Sequence, residues 1–231
     1  MTTVDLTKDS NEKHSVMAGE QTKLQNRVDP WGKFHVTPER GAWMGNRGIL
    51  HDDQKQIVLH WQNYGWVTCS LECGDTHRDE LFAEGNYSEL FFLDEATAFA
   101  AGHRPCAACR YQRYKDFKAA WVAANVDRVS TDNPPILKVD QALQQDRYIQ
   151  GGEKKTYDAV LETLPAGTIF ELNGSAFLVW SGRFYRWSFS GYTHHKGKQA
   201  PTSTVRVLTP ESVVRMFAAG FVPQVHVSAY R

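Results

Sequence analysis

Thr168-Ile-Phe-Glu-Leu-Asn173-Gly174-Ser-Ala-Phe-Leu-Val-Trp180-Ser181-Gly182-Arg-Phe-Tyr-Arg-Trp-Ser-Phe189 contains three apolar runs separated by two dipeptides. Asn-Gly and Ser-Gly suit two-residue hairpin turns, in which both central residues take positive φ. The runs between them are rich in β-branched and aromatic residues, as strands are. The stretch therefore predicts strands at 168–172, 176–180 and 183–189, with a fourth at 204–208. Outward from this meander the period changes. Residues 211–219, introduced by Thr209-Pro210 and stopped by Gly220, predict a closing helix. Upstream, 155–164 predicts a short helix ended by Pro165, and 138–148 another, ended by Gly151-Gly152.

Further upstream, 57–60 and 64–71 predict strands around a Gln62-Asn63 turn, and 86–93 ends in an apolar strand. Asp94 is a good N-cap for an Ala-rich helix at 95–101 that Gly102 closes. A second helix follows Cys109 to about Asn125, with Tyr114, Phe117 and Trp121 spaced to face a core. Strands and helices do not alternate as βα units, so the class is α+β. The expected organisation is a mobile tail at 1–27, a small α/β module at 28–130 and a β-rich antiparallel domain with a C-terminal helix at 131–231.

The chain of 231 residues is 42% hydrophobic and 12% aromatic, enough for a packed core. Its 26 basic and 26 acidic residues cancel, which excludes a polycation but not a local basic face. No run approaches the roughly 18 apolar residues of a membrane span. The first 25 residues lack the apolar centre of a signal peptide, so a cytoplasmic location is expected.

In that compartment the four cysteines are not a disulfide framework. They form two close pairs, Cys69/Cys73 and Cys106/Cys109, and such pairs read first as a metal site, with two free buried pairs as the plain alternative. Zinc takes four tetrahedral ligands, and thiolates from two tight turns supply them. His51, His77 and His103 are substitutes should one cysteine not bind.

Phe92-Leu-Asp-Glu-Ala-Thr-Ala-Phe-Ala-Ala-Gly-His-Arg-Pro-Cys-Ala-Ala-Cys109 resembles the metal-binding segment of Ada-type DNA methylphosphotriester repair proteins. The resemblance covers residues 64–110. It implies a zinc ion on Cys69, Cys73, Cys106 and Cys109, with Cys69 as the methyl-accepting thiolate. In similar cysteine modules of some nucleases a Gly-Asn…His segment contributes, and Gly45-Asn46-Arg47-Gly48-Ile49-Leu50-His51 echoes it, which would put His51 in place of Cys73. The whole chain is also similar to a group of uncharacterised bacterial proteins sharing Arg-Gly-x-x-Met-Gly-Asn-Arg-Gly and Gly-His-Arg-Pro-Cys segments, here Arg40–Gly48 and Gly102–Cys106, which implies no activity.

Between Glu171 and Glu211 there is no acidic residue. Arg183, Arg186 and Lys196 interleave there with Trp187 and Tyr192, as in a surface where cations hold phosphates and rings stack on bases. Arg110 and Arg113 add a second basic cluster beside the cysteines. The competing reading is an antiparallel sheet with rings inward and cations in water. The functional expectation is a zinc-binding, nucleic-acid-directed protein in DNA repair or damage recognition, with DNA preferred over RNA. The alternative is a hydrolytic or transfer enzyme on a nucleotide-like or small substrate, with a structural zinc. Its general base or metal ligands would come from His51, Asp52 and Asp53. The absence of a His-x-Glu motif argues against a zinc deaminase.

Overall fold

The computed structural model describes residues 23–72, 80–149, 153–197 and 202–231. The class is α+β, with two six-stranded sheets and four α-helices among the described residues. The first sheet contains β1 (Arg27–Val28), β2 (Phe34–His35), β3 (Trp43–Asn46), β4 (Val67–Cys69), β5 (Leu90–Phe92) and β6 (Arg104–Pro105), in the order β2-β1-β5-β3-β4-β6. It is mixed: β1 with β5 and β4 with β6 are parallel, the other pairs antiparallel. The second sheet is antiparallel throughout. It runs β11-β10-β9-β8-β12-β7, from β7 (Tyr157–Val160), β8 (Ile169–Leu172), β9 (Ser175–Trp180), β10 (Arg183–Ser188), β11 (Gly191–His194) and β12 (Thr204–Val207).

The hairpins follow from their turns. Asn173 and Gly174 take φ of 50° and 72°, and Ser181 and Gly182 take 48° and 70°. That backbone twist matches right-handed strands. Along β9, side chains alternate between two apolar clusters: Ala176, Leu178 and Trp180 join one, Phe177 and Val179 the other. Both faces of the second sheet are thus covered.

The helix α1 (Glu95–Ala100) explains why the two sheets lie close. All six of its residues are buried. Ala96 and Ala100, four apart, pack with Ile169 and Leu178 of the second sheet. Ala98 packs with Leu90 and Phe92 of the first. Phe99 meets Phe117 of α2 (Tyr111–Ala124) and Phe217 of α4 (Glu211–Ala218). A helix buried on every side is one surrounded by protein, and its alanines let both sheets approach. Asp94 caps α1 as expected, its Oδ1 accepting the Thr97 N–H at 2.8 Å. The fourth helix, α3 (Ile136–Arg147), packs its Val139 and Leu143 with Trp121 of α2 and Met216 of α4. No helix among the described residues is long and apolar enough to cross a membrane.

Several expectations are corrected. Residues 155–164 do not form a helix. β7 pairs with β12 from Tyr157↔Val207 to Thr204↔Val160, and a 3-10 turn follows at Leu161–Thr163. Its half-buried and exposed residues alternate, the period of a strand. Residues 57–60 are no strand either: the N–H groups of Val58 and Leu59 both donate to Leu50 O, and only Ile57 forms a bridge, to His51. The glycine-rich stretch after Arg40 contains β3. A Cβ on Gly45 would lie 2.2 Å from Val67 O, so glycine permits β3 to sit against β4. Gly191–His194 adds a strand that the sequence does not announce. Ordered pairing begins at Arg27, which faces His35 and Phe91; residues 1–22 lie outside the described residues.

Candidate metal centre

β4 and β6 run parallel, with Val67 opposite Arg104 and Thr68 opposite Pro105. Cys69 ends β4 and Cys106 follows β6, and the Cys106 N–H donates to Thr68 O at 2.9 Å. Two neighbouring parallel strands thus deliver two sulfurs to one point. β6 is an edge strand, where a proline leaves no ladder bond unmade. After Cys106 the chain turns tightly, Arg110 N donating to Cys106 O at 3.1 Å, and the turn brings Cys109 back. The sulfurs of Cys69, Cys106 and Cys109 all lie within 4.8 Å of one another. On a tetrahedral zinc with bonds of about 2.3 Å, sulfurs sit roughly 3.8 Å apart. Three sulfurs that close fit the donor set of such an ion. Cys73 and His77 lie outside the described residues.

The electrostatics of the three thiols are unequal. Cys106 is held down to about 5, chiefly by the Cys69 thiol and also by the N–H groups of Cys109 and Ala108, against the effect of burial. The Ala108 N–H reaches its sulfur at 3.4 Å. Cys69 is pushed far up, because its hydrogen goes to Cys106 and because it is buried. Sulfurs this close cannot all carry charge unless a cation sits among them.

Behind the sulfurs lies a charged hub. Arg110, 5% exposed at its side chain, donates to Thr68 Oγ1 at 3.0 Å and to Glu95 Oε1 at 2.7 Å. It also reaches Gln224 Oε1 at 3.0 Å and lies 3.8 Å from the centre of the Trp43 ring. Arg113 pairs with Glu95 Oε2 at 2.6 Å. Arg104 is engaged by both oxygens of Asp140, each at 2.7 Å. The basic cluster expected at Arg110 and Arg113 is therefore largely internal, as is Arg104. What the sequence hid is Glu95, which reads only as an acidic residue in a first helical turn.

A second group of buried cations surrounds Trp66. Arg47 and Arg147 stand 4.2 Å and 4.8 Å from the Trp66 ring. Burial pushes both guanidinium groups down, to about 10 and about 9, so both stay charged at neutral pH. Arg47 Nε donates to His103 Nε2 at 3.3 Å, which makes His103 a core residue, kept neutral by burial and by Arg47, Arg147 and Lys154. Lys154 donates to Ala100 O at 2.6 Å, and burial lowers its pKa to about 7, with Arg47 and Arg147 adding to the shift and Asp29 opposing it. The folded chain thus binds fewer protons at Lys154 than the unfolded chain between pH 7 and 10.5. Stability should rise with pH across that window, by up to about 1.4 kcal/mol per unit from this group. Lys154→Met should be more stable than the parent at pH 6–7 and should lose that part of the alkaline gain. Urea denaturation between pH 6 and 10 would measure it; parallel curves for the two proteins would refute it.

The other candidates lie apart. His51, Asp52 and Asp53 line a cleft of about 380 Å³ with Lys55, Glu80 and Phe82. His51 stacks on Phe82 at 4.7 Å, and its Nδ1 is 2.7 Å from Ser88 Oγ. It is not in the described metal-capable group. Asp52 Oδ1 accepts from the N–H groups of Gln54 and Gln56, a turn-forming role. Arg183 and Arg186 on β10 of the second sheet, and Lys196 just after β11, are exposed. Trp187 packs against the core and donates to Thr97 Oγ1 at 3.0 Å, and Tyr192 is buried in that core. Compared with protein-family models, with curated proteins and with solved structures, the chain matches none.

Proposed function

We propose that the chain is a zinc-binding protein that engages nucleic acid, in the recognition or repair of DNA damage. The observation that carries the reading is the three-sulfur cluster held at the ends of two paired strands. An all-sulfur donor set selects soft or borderline ions, and zinc is the common choice without redox chemistry. Cys69, Cys106 and Cys109 would hold it, with Cys73 as the fourth ligand by resemblance. Bound there, the ion would supply cross-linking between the two halves of the first sheet's edge and α2. Cys69 is 6% exposed, and a methyl-accepting sulfur needs open access, so the centre is read as structural. The nucleic-acid part rests on the exposed Arg183, Arg186 and Lys196, in a stretch with no acidic residue between Glu171 and Glu211. A second reading, an enzyme on a nucleotide-like substrate, has the His51 cleft in its favour.

Two measurements test the proposal together. Elemental analysis should find one zinc per chain. Binding to labelled DNA should weaken steeply with salt, with a log–log slope of roughly −2 to −5 for about three to five phosphate contacts. Zinc well below one per chain, or no binding to single- or double-stranded DNA or RNA at low salt, would overturn the corresponding half. In the second case a nucleotide panel at the His51 cleft becomes the next experiment.

A further inference from the structure

We infer that the nucleic-acid contact of this protein is a stacking stripe on α2, formed by Tyr111, Tyr114, Lys115 and Lys118, and that its occupant is a single strand. The inference rests on the nucleic-acid reading above and gives it a surface and a strandedness. These four residues stand at positions i, i+3, i+4 and i+7, so they share one face of the helix. Tyr111 is 60% exposed, a large ring left in water just two residues after Cys109. Its ring and that of Tyr114 are nearly parallel, 29° apart in plane, with centroids separated by 6.5 Å. Lys115 Nζ stands 5.4 Å from the Tyr111 ring, and the Arg104 guanidinium 5.7 Å from the Tyr114 ring. The exposed face therefore carries two rings and two lysines, while Arg104, paired with Asp140, backs the Tyr114 ring from inside.

Several features select the occupant. The stripe has no aliphatic residue, unlike a helix face built to bury against another protein. Its two lysines, Lys115 exposed and Lys118 half-buried and donating to Asn133 Oδ1 at 2.8 Å, favour an anionic partner, and Asp116 is engaged by the Gln112 amide at 2.8 Å. The exposed Tyr111 ring, with half-buried Tyr114 beside it, offers a π-face that any base can use, at about 1–3 kcal/mol per base. A spacing of 6.5 Å between rings exceeds the 3.4 Å step of a stacked strand, so it suits bases splayed from one another, which a duplex does not present. Trp187 and Tyr192, the rings the sequence suggests for this task, are committed to the core, whereas Tyr111 is not.

The test uses the full-length, zinc-loaded protein and a fluorescently labelled oligothymidylate of about 12 nucleotides, read by anisotropy at low salt. Tyr111→Ala should weaken binding by about fivefold to 150-fold, the equivalent of one stacked base. Tyr111→Phe, which keeps the ring, should bind like the parent. The double variant Lys115→Glu, Lys118→Glu should weaken binding and reduce the salt slope by about one or more. Inorganic polyphosphate, an anion without bases, should compete poorly and feel no effect of Tyr111→Ala. A thermal melt accompanies each variant. Parent-like binding by folded Tyr111→Ala, with loss instead in Arg183→Ala or Arg186→Ala, would overturn the stripe and leave the broader reading standing. Equal loss of polyphosphate and oligonucleotide binding in Tyr111→Ala would also overturn it, since the ring would then not act by stacking. A parent protein that binds no nucleic acid would remove both.

Discussion

Cys106→Ser should purify with well under half of the parent's zinc and melt about 10 °C lower. Cys106 is the middle member of the cluster: it follows β6, its N–H is held by Thr68, and it begins the turn that returns Cys109. Losing one of its thiolates leaves a structural zinc site short of its four ligands, which weakens binding. Metal affinity at a structural site is folding energy, about 10–16 kcal/mol in zinc fingers that have no other core. The described residues form four apolar clusters of their own, so only a part is at stake, on the order of 3–5 kcal/mol. At about 2–4 °C per kcal/mol for a domain of this size, the melting point moves by roughly 10 °C. Elemental analysis with a thermal melt reads both quantities. A variant with full zinc content and the parent's melting point would show that Cys106 is not a ligand.

Glu95→Ala should cost about 3–5 kcal/mol, the value for leaving a buried charge without its partner. The Glu95 side chain is 1% exposed and meets two arginines, one on each oxygen. It also accepts the Gln224 N–H at 2.8 Å. Without it the Arg110 guanidinium, itself 5% exposed, keeps only the neutral partners Thr68, Gln224 and Trp43. Glu95→Gln fills the same space and can still receive the Gln224 N–H, so it should lose less than Glu95→Ala. Urea titration of the three proteins would decide. A loss below about 1 kcal/mol for Glu95→Ala would mean that the hub relaxes and lets Arg110 reach water, as surface pairs do.

Four strands of the second sheet, β8, β9, β10 and β12, and α1 were legible in the sequence because their signals are local. Asn173-Gly174 and Ser181-Gly182 specify turns without help from the rest of the chain, and Asp94 caps its own helix. The first sheet was mostly hidden. Its strands are two to four residues long, too short for any period, and pairings such as Arg27↔Phe91 join distant segments. Residues 155–164 contain Lys, Glu and Leu, good helix formers, and only the partner strand β12 decides against a helix; tertiary pairing overrides propensity there. Cys106 and Cys109 announced themselves by spacing, while Cys69 joins them through the parallel pairing of β4 with β6. The arginines misled for a related reason. A charge reads as exposed until its buried counter-charge is known, and Glu95 and Asp140 lie 15 and 36 residues from Arg110 and Arg104.

The hydrogen bonds that Glu95 and Asp94 accept from the backbone N–H groups of Gln224 and His226 have a consequence for how the chain is made. Gln224 comes 114 residues after Arg110. At about 5–20 residues per second, a ribosome needs roughly 6–23 s to cover that distance. Throughout that interval Cys69, Cys106 and Cys109 have all been synthesised, while the clasp that packs α1 against its last partner is still open. Any ion bound at the cysteines therefore has access to a half-built chain. Loading of a metal there would then depend on timing during translation as well as on affinity in the finished fold.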